Sequence, residues 1–546
     1  MVGFIVYFFI CFHLNIDLGG ENTRVAGNTF AGEMRIVPNK KNRIVTPSAA
    51  VVRAIEGDIS PNNFDNCQFK FGEDAIQVAK RHPESGSQYL GRIIGRDESE
   101  DYNIPSSISS INLLGLFLAD LFSSPQMSGS DGCTVTIPAY YTLQQREDII
   151  KAVWAAHIPF LGLVDDYTAV IQLYSERFKE KYMSNNHTVL FVDIGATHVS
   201  AYRVDFYFNT SIDQYGNQTS FVWSEDVGCH AFARKIAKQK GVSFKKAKLI
   251  LESNSDYSDL LEDEIGYVKS MIKEALNDPV DEVQIFGGGS KLQFVIDAVK
   301  KASGMDVKRD LPPFDTTVLG GAYLAQHLAN ASDEMRINVN RVPIYTMNVT
   351  CANVTGEYCV KGANCTDLII LDDTICDTLI VNADPSEAPE GTKPVLSKYV
   401  LKNISKFDRE EEEVVSGIIS LAIPMPIIIH TSWCITSIIS CQPIDFQQYE
   451  EPISNFKPYS EIVESFNKVE RKRRRILTLK SKIFELSEQI RQFLQNRNDI
   501  SMEETEQSSI NFILEQVENI SAKPEVSDLE EILDTINKKA RYLGIN

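Results

Sequence analysis

The chain has 546 residues, with 54 Lys and Arg against 74 Asp and Glu, a formal charge of −20. That balance excludes a general nucleic-acid binder, because phosphate contact needs a basic face; it does not exclude a single bound nucleotide. Hydrophobic residues at 43% and charged residues at 23% exclude a disordered or collagen-like chain, and the length suggests roughly three or four domains.

Met1 to Leu14 is apolar, close to a signal-peptide core in length and short for a membrane span. No basic n-region or A-x-A site accompanies it, so a buried first strand is the alternative. Residues 15 to about 335 then alternate short apolar runs with amphipathic stretches. LNIDLGG is a strand entering a glycine turn, and residues 133–141 (CTVTIPAYY) are another strand. QQREDIIKAVWAAHI has helical spacing, with Ile149, Ile150, Val153 and Trp154 on one face. Residues 187–204 read as two strands joined at Gly195, and 281–302 as strand, glycine loop and helix. Strands alternating with helices predict an α/β core.

Residues 343–445 are rich in Ile, Val and Thr and predict short strands. Within them, Val414 to Cys441 has no Asp, Glu, Lys or Arg over 28 residues. Length permits a membrane span, but Pro424 and Pro426 at its centre and the β-branched content favour strands. From about 459 the pattern turns helical, through Ile462, Phe466, Val469, Leu477, Ile483, Leu486, Ile490 and Phe493. The basic run Arg471, Lys472, Arg473, Arg474, Arg475 reads first as a charged face, with an acidic partner or membrane surface as the alternative. A last helix over 525–544 opens with Ser527 as a candidate cap and Glu530 three residues on.

Two features point to an oxidising compartment. Nine N-x-S/T sequons occur, at Asn186, Asn209, Asn217, Asn330, Asn348, Asn353, Asn364, Asn403 and Asn519. Cys351, Cys359, Cys365 and Cys376 cluster among three of them. Candidate disulfides compete there with free buried thiols. Zinc is disfavoured because no C-x-x-C pair occurs.

Three glycine turns carry the chemistry, each after a strand: Asp17-Leu-Gly-Gly-Glu21, Asp193-Ile-Gly-Ala-Thr197 and Gly287-Gly-Gly-Ser-Lys291. They are spaced by about 180 and 95 residues. Glycine lets backbone N–H groups approach phosphate oxygens, and an Asp at a strand end can hold a water on Mg2+. Two D-x-G hairpins facing each other could clamp a polyphosphate. The alternative is inherited hairpins without a ligand. His187, His198 and His230 lack a partnered Ser or Cys motif, so they offer no nucleophile-activating pair.

These turns, with NKKNRIVTPSAAVV (39–52), FGEDAIQVAKRHPESGSQYLGRIIGR (71–96), TVTIPAYYTLQQREDIIKAV (134–153), VDDYTAVIQLY (164–174) and PFDTTVLGGAYLAQHLA (313–329), resemble the 70-kDa heat-shock protein superfamily. Within it the chain looks most like the large endoplasmic-reticulum branch of the 170-kDa glucose-regulated, hypoxia up-regulated type. FNKVERKRRRILTLKSKIFELSEQI (466–490) resembles that branch's C-terminal helices. The resemblance implies a leader over 1–14 and an actin-like nucleotide-binding domain over 15–335, its two lobes unequal because one is trimmed. A β-sandwich-like substrate-binding domain would follow over 343–445 and an α-helical domain over 455–546.

It also implies roles, residue by residue. Asp17, Gly19 and Gly20 match the first phosphate turn. Asp193, Gly195, Ala196 and Thr197 match the second, with Asp17 and Asp193 holding Mg2+ through water. Gly287, Gly288, Gly289, Ser290 and Lys291 match the adenosine loop, followed by Asp315. Lys248 lies in KAKLILESN, which resembles the helix over adenine. Asp166 and Asp193 are the candidate catalytic acids, and Pro138 and Arg146 the interdomain relay. Departures accompany the match. Ile76 aligns with the hydrolytic lysine, Glu21 takes a threonine position, and Leu249 and Glu252 replace a common Arg and Ser. Only about 50 residues separate Gly228 from the strand before Gly287. The implied protein is a chaperone of the endoplasmic reticulum lumen that binds ATP or ADP, hydrolyses it slowly if at all, and holds unfolded polypeptide. Exchanging nucleotide on the lumenal 70-kDa chaperone would be a further role. The alternatives are a secretory glycoprotein pseudo-chaperone with a decayed site and, less favoured, a sugar kinase, for which no catalytic base is evident.

Overall fold

A computed structural model describes residues 13–28, 33–95, 108–208, 214–253, 257–330, 337–340, 343–351, 354–361, 369–370, 378–389, 392–402, 418–419, 445–448, 457–496, 504–521 and 524–545. The chain divides into two compact units. One holds Met1–Arg53 with Gln68–Ser460, the other Ala54–Cys67 with Glu461–Asn546.

The first unit repeats one arrangement of strands. His13–Leu18 pairs antiparallel with Asn22–Asn28, which pairs with Met34–Ile36; on its other side it runs parallel to Gly132–Ile137, and that strand to Phe160–Asp165. His187–Ile194 does the same, antiparallel to Val199–Phe208 and then Gln214–Ser224, and parallel to Glu282–Phe286 and then Val307–Lys308. Both sheets therefore share the order third, second, first, fourth, fifth, with Thr46–Pro47 added beside Asn22–Asn28 in the first and Asn338–Asn340 beside Gln214–Ser224 in the second. The central strands are buried on both faces: every residue of Gly132–Ile137 and of Glu282–Phe286 is buried, as parallel strands covered by helices require.

Leu14 and Ile16 are fully buried, so His13 and Leu14, inside the expected leader, are strand residues; residues 1–12 lie outside the described ones. On one face of the second sheet, the helices Cys229–Lys240, Phe244–Glu252, Glu262–Leu276 and Gln293–Ser303 enclose Val192, Phe232, Ile272 and Val295. Each such side chain contributes ~1.5–3 kcal/mol. Among the described residues, the first three of these helices fill the interval expected to be trimmed. On the other face, Asp166–Phe178 and Thr316–Asn330 bury an aromatic group that includes Tyr174, Phe191, Tyr202 and Phe206. Thr142 caps the helix Leu143–Ala155. Its Oγ1 accepts from Gln145 N at 3.3 Å, and its N–H donates to Gln145 Oε1 at 2.9 Å, the reciprocal box that T-x-x-Q encodes.

Beyond residue 343, five strands form one antiparallel sheet, ordered Val354–Cys359, Met347–Cys351, Thr378–Ala383, Val395–Lys402, Asp445–Gln448. Ile369–Ile370 pairs separately with Ile418–Ile419. Those two isoleucines are all that is described of Val414 to Cys441. Among the described residues no helix is long and apolar enough to cross a membrane. Cys351 lies opposite Val354 and Cys359 opposite Met347. Cys365 and Cys376 lie outside the described residues. Of the sequon asparagines, Asn186 and Asn519 are exposed, and Asn217 and Asn348 partly buried.

In the second unit, the helices Lys457–Asn496, Glu504–Glu518 and Val526–Tyr542 pack around Leu479, Ile483, Ile490, Ile513 and Ile536. Leu477, expected on the apolar stripe, is 67% exposed, and Leu479 takes the buried place. The last helix begins at Val526 with Glu525 as its cap residue, so Ser527 lies inside the first turn and does not cap. The basic run is partly engaged within the unit. Lys472 pairs with Glu525 at 3.1 Å and Arg475 with Glu530 at 2.7 Å, while Arg473 donates to the Cys67 carbonyl at 2.9 Å. Arg471 is exposed.

Candidate functional site

The repeated strand order puts Asp17 and Asp193 at equivalent places, each the penultimate residue of its lobe's first strand and each followed by a glycine turn. The two turns touch. A Cβ on Gly20 would overlap the Thr197 side chain, so the absence of one there lets the hairpins meet. The third loop closes on the second turn: Gly287, at φ +82°, leaves no room for a Cβ beside the Asp193 carboxylate. Ser290 is fully buried, its hydroxyl donating to the Gly287 carbonyl at 2.7 Å. The helix Cys229–Lys240 starts on the second turn, with the N–H groups of Cys229 and His230 donating to the carbonyls of Gly195 and Ala196 at 3.1 and 2.8 Å.

Acid groups dominate the centre. Burial pushes Asp17 up to about 7, an effect that Arg24 opposes and Asp315 reinforces. Burial, with Asp17 nearby, pushes Asp193 up to about 7. Asp166 is raised well above the usual carboxylate range by burial and by Asp193 and Asp165, even though its Oδ1 accepts from the N–H groups of Tyr167 at 2.7 Å and Ala139 at 3.2 Å. Buried carboxylates that resist ionisation when alone suit a divalent cation, whose charge reverses that preference. Asp17 and Asp193 therefore fit Mg2+.

Basic side chains gather around the first turn. Lys248 and Glu21 form an ion pair, and His230 Nε2 lies 3.3 Å from the other Glu21 oxygen. Burial lowers the Lys248 pKa. Arg24 pairs with Asp315 at 2.8 Å. The Phe314 ring lies between Arg24, 5.3 Å from its centroid, and Lys291, at 4.2 Å, so the expected adenosine-loop lysine rests on an aromatic face. Arg92, buried, pairs with Glu225.

The expected relay residues adjoin the acids. Arg146 is buried, donates to the carbonyls of Tyr141 and Ala139 at 2.9 and 2.6 Å, and pairs with Asp165 at 2.8 Å. Ala139 thus links Arg146 and Asp166, its carbonyl accepting from Arg146 and its N–H donating to Asp166. Arg146 also lies near Tyr345 at the start of the β-rich segment, where it partly offsets the burial that raises that phenol's pKa. The Pro138 carbonyl accepts from Tyr141 N at 3.1 Å.

One alignment is corrected. Ile76 packs in a separate cluster with Ala49, Val51, Ala75 and Ala79 and does not reach the turns. A Cβ on Gly91 would instead lie 3.4 Å from the carbonyls of Leu18 and Gly19. The position facing the first turn is thus glycine and brings no ammonium. Arg24, Arg92 and Glu225 carry no local sequence signal, because Arg24 reaches Asp315 and Arg92 reaches Glu225 only through tertiary contact. His198 was set aside for want of a nucleophile. In the fold its Nε2 lies 3.8 Å from Asp166 Oδ2.

No family model matches the chain. A chaperone protein dnaK of Gracilaria tenuistipitata var. liui is 22% identical over 58% of this chain and 60% of the relative. Hypoxia up-regulated protein 1 of Danio rerio is 20% identical over 63% of this chain and 43% of its own. A chaperone protein HscA homolog of Acinetobacter baylyi is 20% identical over 61% and 60%. The matched part thus spans 60% or less of these relatives' own length. The chain is similar to the 70-kDa heat-shock protein superfamily, with a hypoxia up-regulated protein among its relatives.

Proposed function

We propose that the chain is a chaperone of the 70-kDa heat-shock type that binds adenine nucleotide between its two D-x-G turns and holds unfolded polypeptide in the endoplasmic reticulum lumen. The contact between Gly20 and Thr197 carries this reading, because it sets two phosphate-type turns face to face, with Gly287–Ser290 closing one side and Lys248 another. Asp17 and Asp193 would hold Mg2+ through water, and that ion would neutralise phosphate charge. Gly91 supplies no cation opposite the first turn, so slow hydrolysis is expected. Arg146, between Asp166 and Tyr345, is placed to pass the state of the site to the β-rich segment.

Thermal melting with Mg-ATP, Mg-ADP or neither tests the core of this reading. Ligand at a hundred times its Kd adds about 2.7 kcal/mol, several degrees in Tm. No shift at millimolar nucleotide would favour the alternative, a secretory glycoprotein module with a decayed site, for which Glu21 holding Lys248 is the supporting observation.

We infer further that the helical unit serves nucleotide exchange on the lumenal 70-kDa chaperone. The assay is release of labelled ADP from that chaperone with and without this protein. Reversing the whole basic run would also break Lys472–Glu525 and Arg475–Glu530, so the informative variant is Arg471→Glu alone. Acceleration that Arg471→Glu weakens supports exchange through this helix; no acceleration at saturation removes the exchange role.

A further inference from the structure

We propose that Asp166, Asp193 and His198 form a direct binding site for a borderline divalent transition-metal ion of the Zn2+ class, which shares Asp193 with the water-mediated Mg2+ beside phosphate. The three side chains come from different places: the first residue of the helix Asp166–Phe178, the end of the strand His187–Ile194, and the last residue of the turn after it. One ligand atom from each lies within 4.8 Å of the others. An ion about 2.1 Å from each of two donors holds those donors roughly 3–4.2 Å apart. The 3.8 Å between His198 Nε2 and Asp166 Oδ2 falls inside that range.

The surroundings prepare these atoms for a metal. Asp166 spends Oδ1 on two backbone N–H groups, which fixes the carboxylate and leaves Oδ2 facing the imidazole. Both ring nitrogens of His198 are buried without a hydrogen-bond partner, an arrangement that a buried imidazole rarely tolerates unless something binds it. The ring is held edge-on to Tyr140 at 5.2 Å, and Tyr140 stacks on Trp223 at 4.4 Å. The turn fixes the His198 backbone through Gly195 N donating to its carbonyl at 2.9 Å. The imidazole decides the metal class. Mg2+ prefers oxygen and water, whereas an imidazole with two carboxylates suits Zn2+ and its first-row neighbours.

The inference does not need nucleotide, and its test omits it. Full-length protein stripped with chelator is titrated with Zn2+, Co2+ and Mg2+, following thermal stability and the visible band of bound Co2+. Wild type is expected to bind Zn2+ and Co2+ stoichiometrically. His198→Gln should weaken both by about tenfold or more and change the Co2+ band, while leaving the metal-free melt and the Mg2+ response unchanged. Proton NMR of the wild-type Co2+ adduct, which needs no variant, should show paramagnetically shifted imidazole resonances. An unaltered Co2+ spectrum in folded His198→Gln, or no shifted imidazole signal in wild type, would overturn the site.

Discussion

In the first lobe, the turn after Asp17 carries Gly19, Gly20 and Glu21, and side chains from the second lobe answer the Glu21 carboxylate: Lys248 pairs with it and His230 Nε2 lies 3.3 Å from its other oxygen. In the second lobe, the turn after Asp193 carries Gly195, Ala196, Thr197 and His198, and His198 faces another carboxylate, Asp166. The strand order behind the two turns is the same. The backbone therefore fixes where a turn stands, and two or three residues in it fix what it can hold. The first turn has become a place where charge is paired, the second a place where metal ligands converge.

The glycines on the two sides separate most sharply under substitution. Gly287→Ala should cost about 2–5 kcal/mol, because it combines positive φ with overlap on Asp193 and the Ile194 backbone. Gly20→Ala meets the Thr197 side chain first and should cost about 1–3 kcal/mol. Adding Thr197→Ala should recover most of the loss at Gly20 and none at Gly287. Urea unfolding of the four proteins reads this directly. Failure of Thr197→Ala to rescue Gly20→Ala would mean that the two turns do not meet.

The buried acids give the next effect, and its sign follows from their direction. Asp17 and Asp193, each raised to about 7, bind protons in the folded chain that they have lost when unfolded, where an Asp titrates near 3.9. The stability they contribute is complete below about pH 4 and declines as pH rises to about 7, by up to ~1.4 kcal/mol per unit for each proton. Asp193→Asn should flatten that decline, and at pH 8 without divalent ions it should melt above wild type. Asp17→Asn should remove its own step and also lessen the push on Asp193. Mg2+ at pH 8 should raise wild type more than either variant. A stability curve between pH 4 and 7 that neither substitution changes would show that these carboxylates are hydrated and ordinary.

The same contrast marks what the sequence reveals. The first strand, both D-x-G hairpins, the strand and loop at Gly287 and the helix Leu143–Ala155 are legible because period and glycine are local signals. Which turn touches which is not local. Gly91 and Ile76 lie on one stretch of chain, and only the fold shows that Gly91 abuts the first turn while Ile76 sits in a hydrophobic cluster. His198 read as an unpartnered histidine because its carboxylate neighbour Asp166 is 32 residues away. Leu477 matched the apolar spacing but faces solvent, since a 40-residue helix presents more than one seam, and its packing partners select among them.

Glu21→Gln should have the smallest effect on stability and the most direct one on ligand. Glu21 and Lys248 are 30% and 24% exposed, so solvent screening keeps their pairing worth less than about 1 kcal/mol. The amide retains the shape and a hydrogen bond, and the melt should move little. Nucleotide affinity should rise by about two- to fivefold, because a charge that repels phosphate is removed and Lys248 is released to meet the ligand. The equivalent change in the other lobe, His198→Gln, should leave Mg-nucleotide affinity unchanged, since His198 serves a different ion. Isothermal titration of both variants with Mg-ADP checks the pair. If Glu21→Gln weakens binding, Glu21 positions Lys248 for the ligand and does not compete with it, and the first turn would then be a finished nucleotide contact instead of a partly closed one.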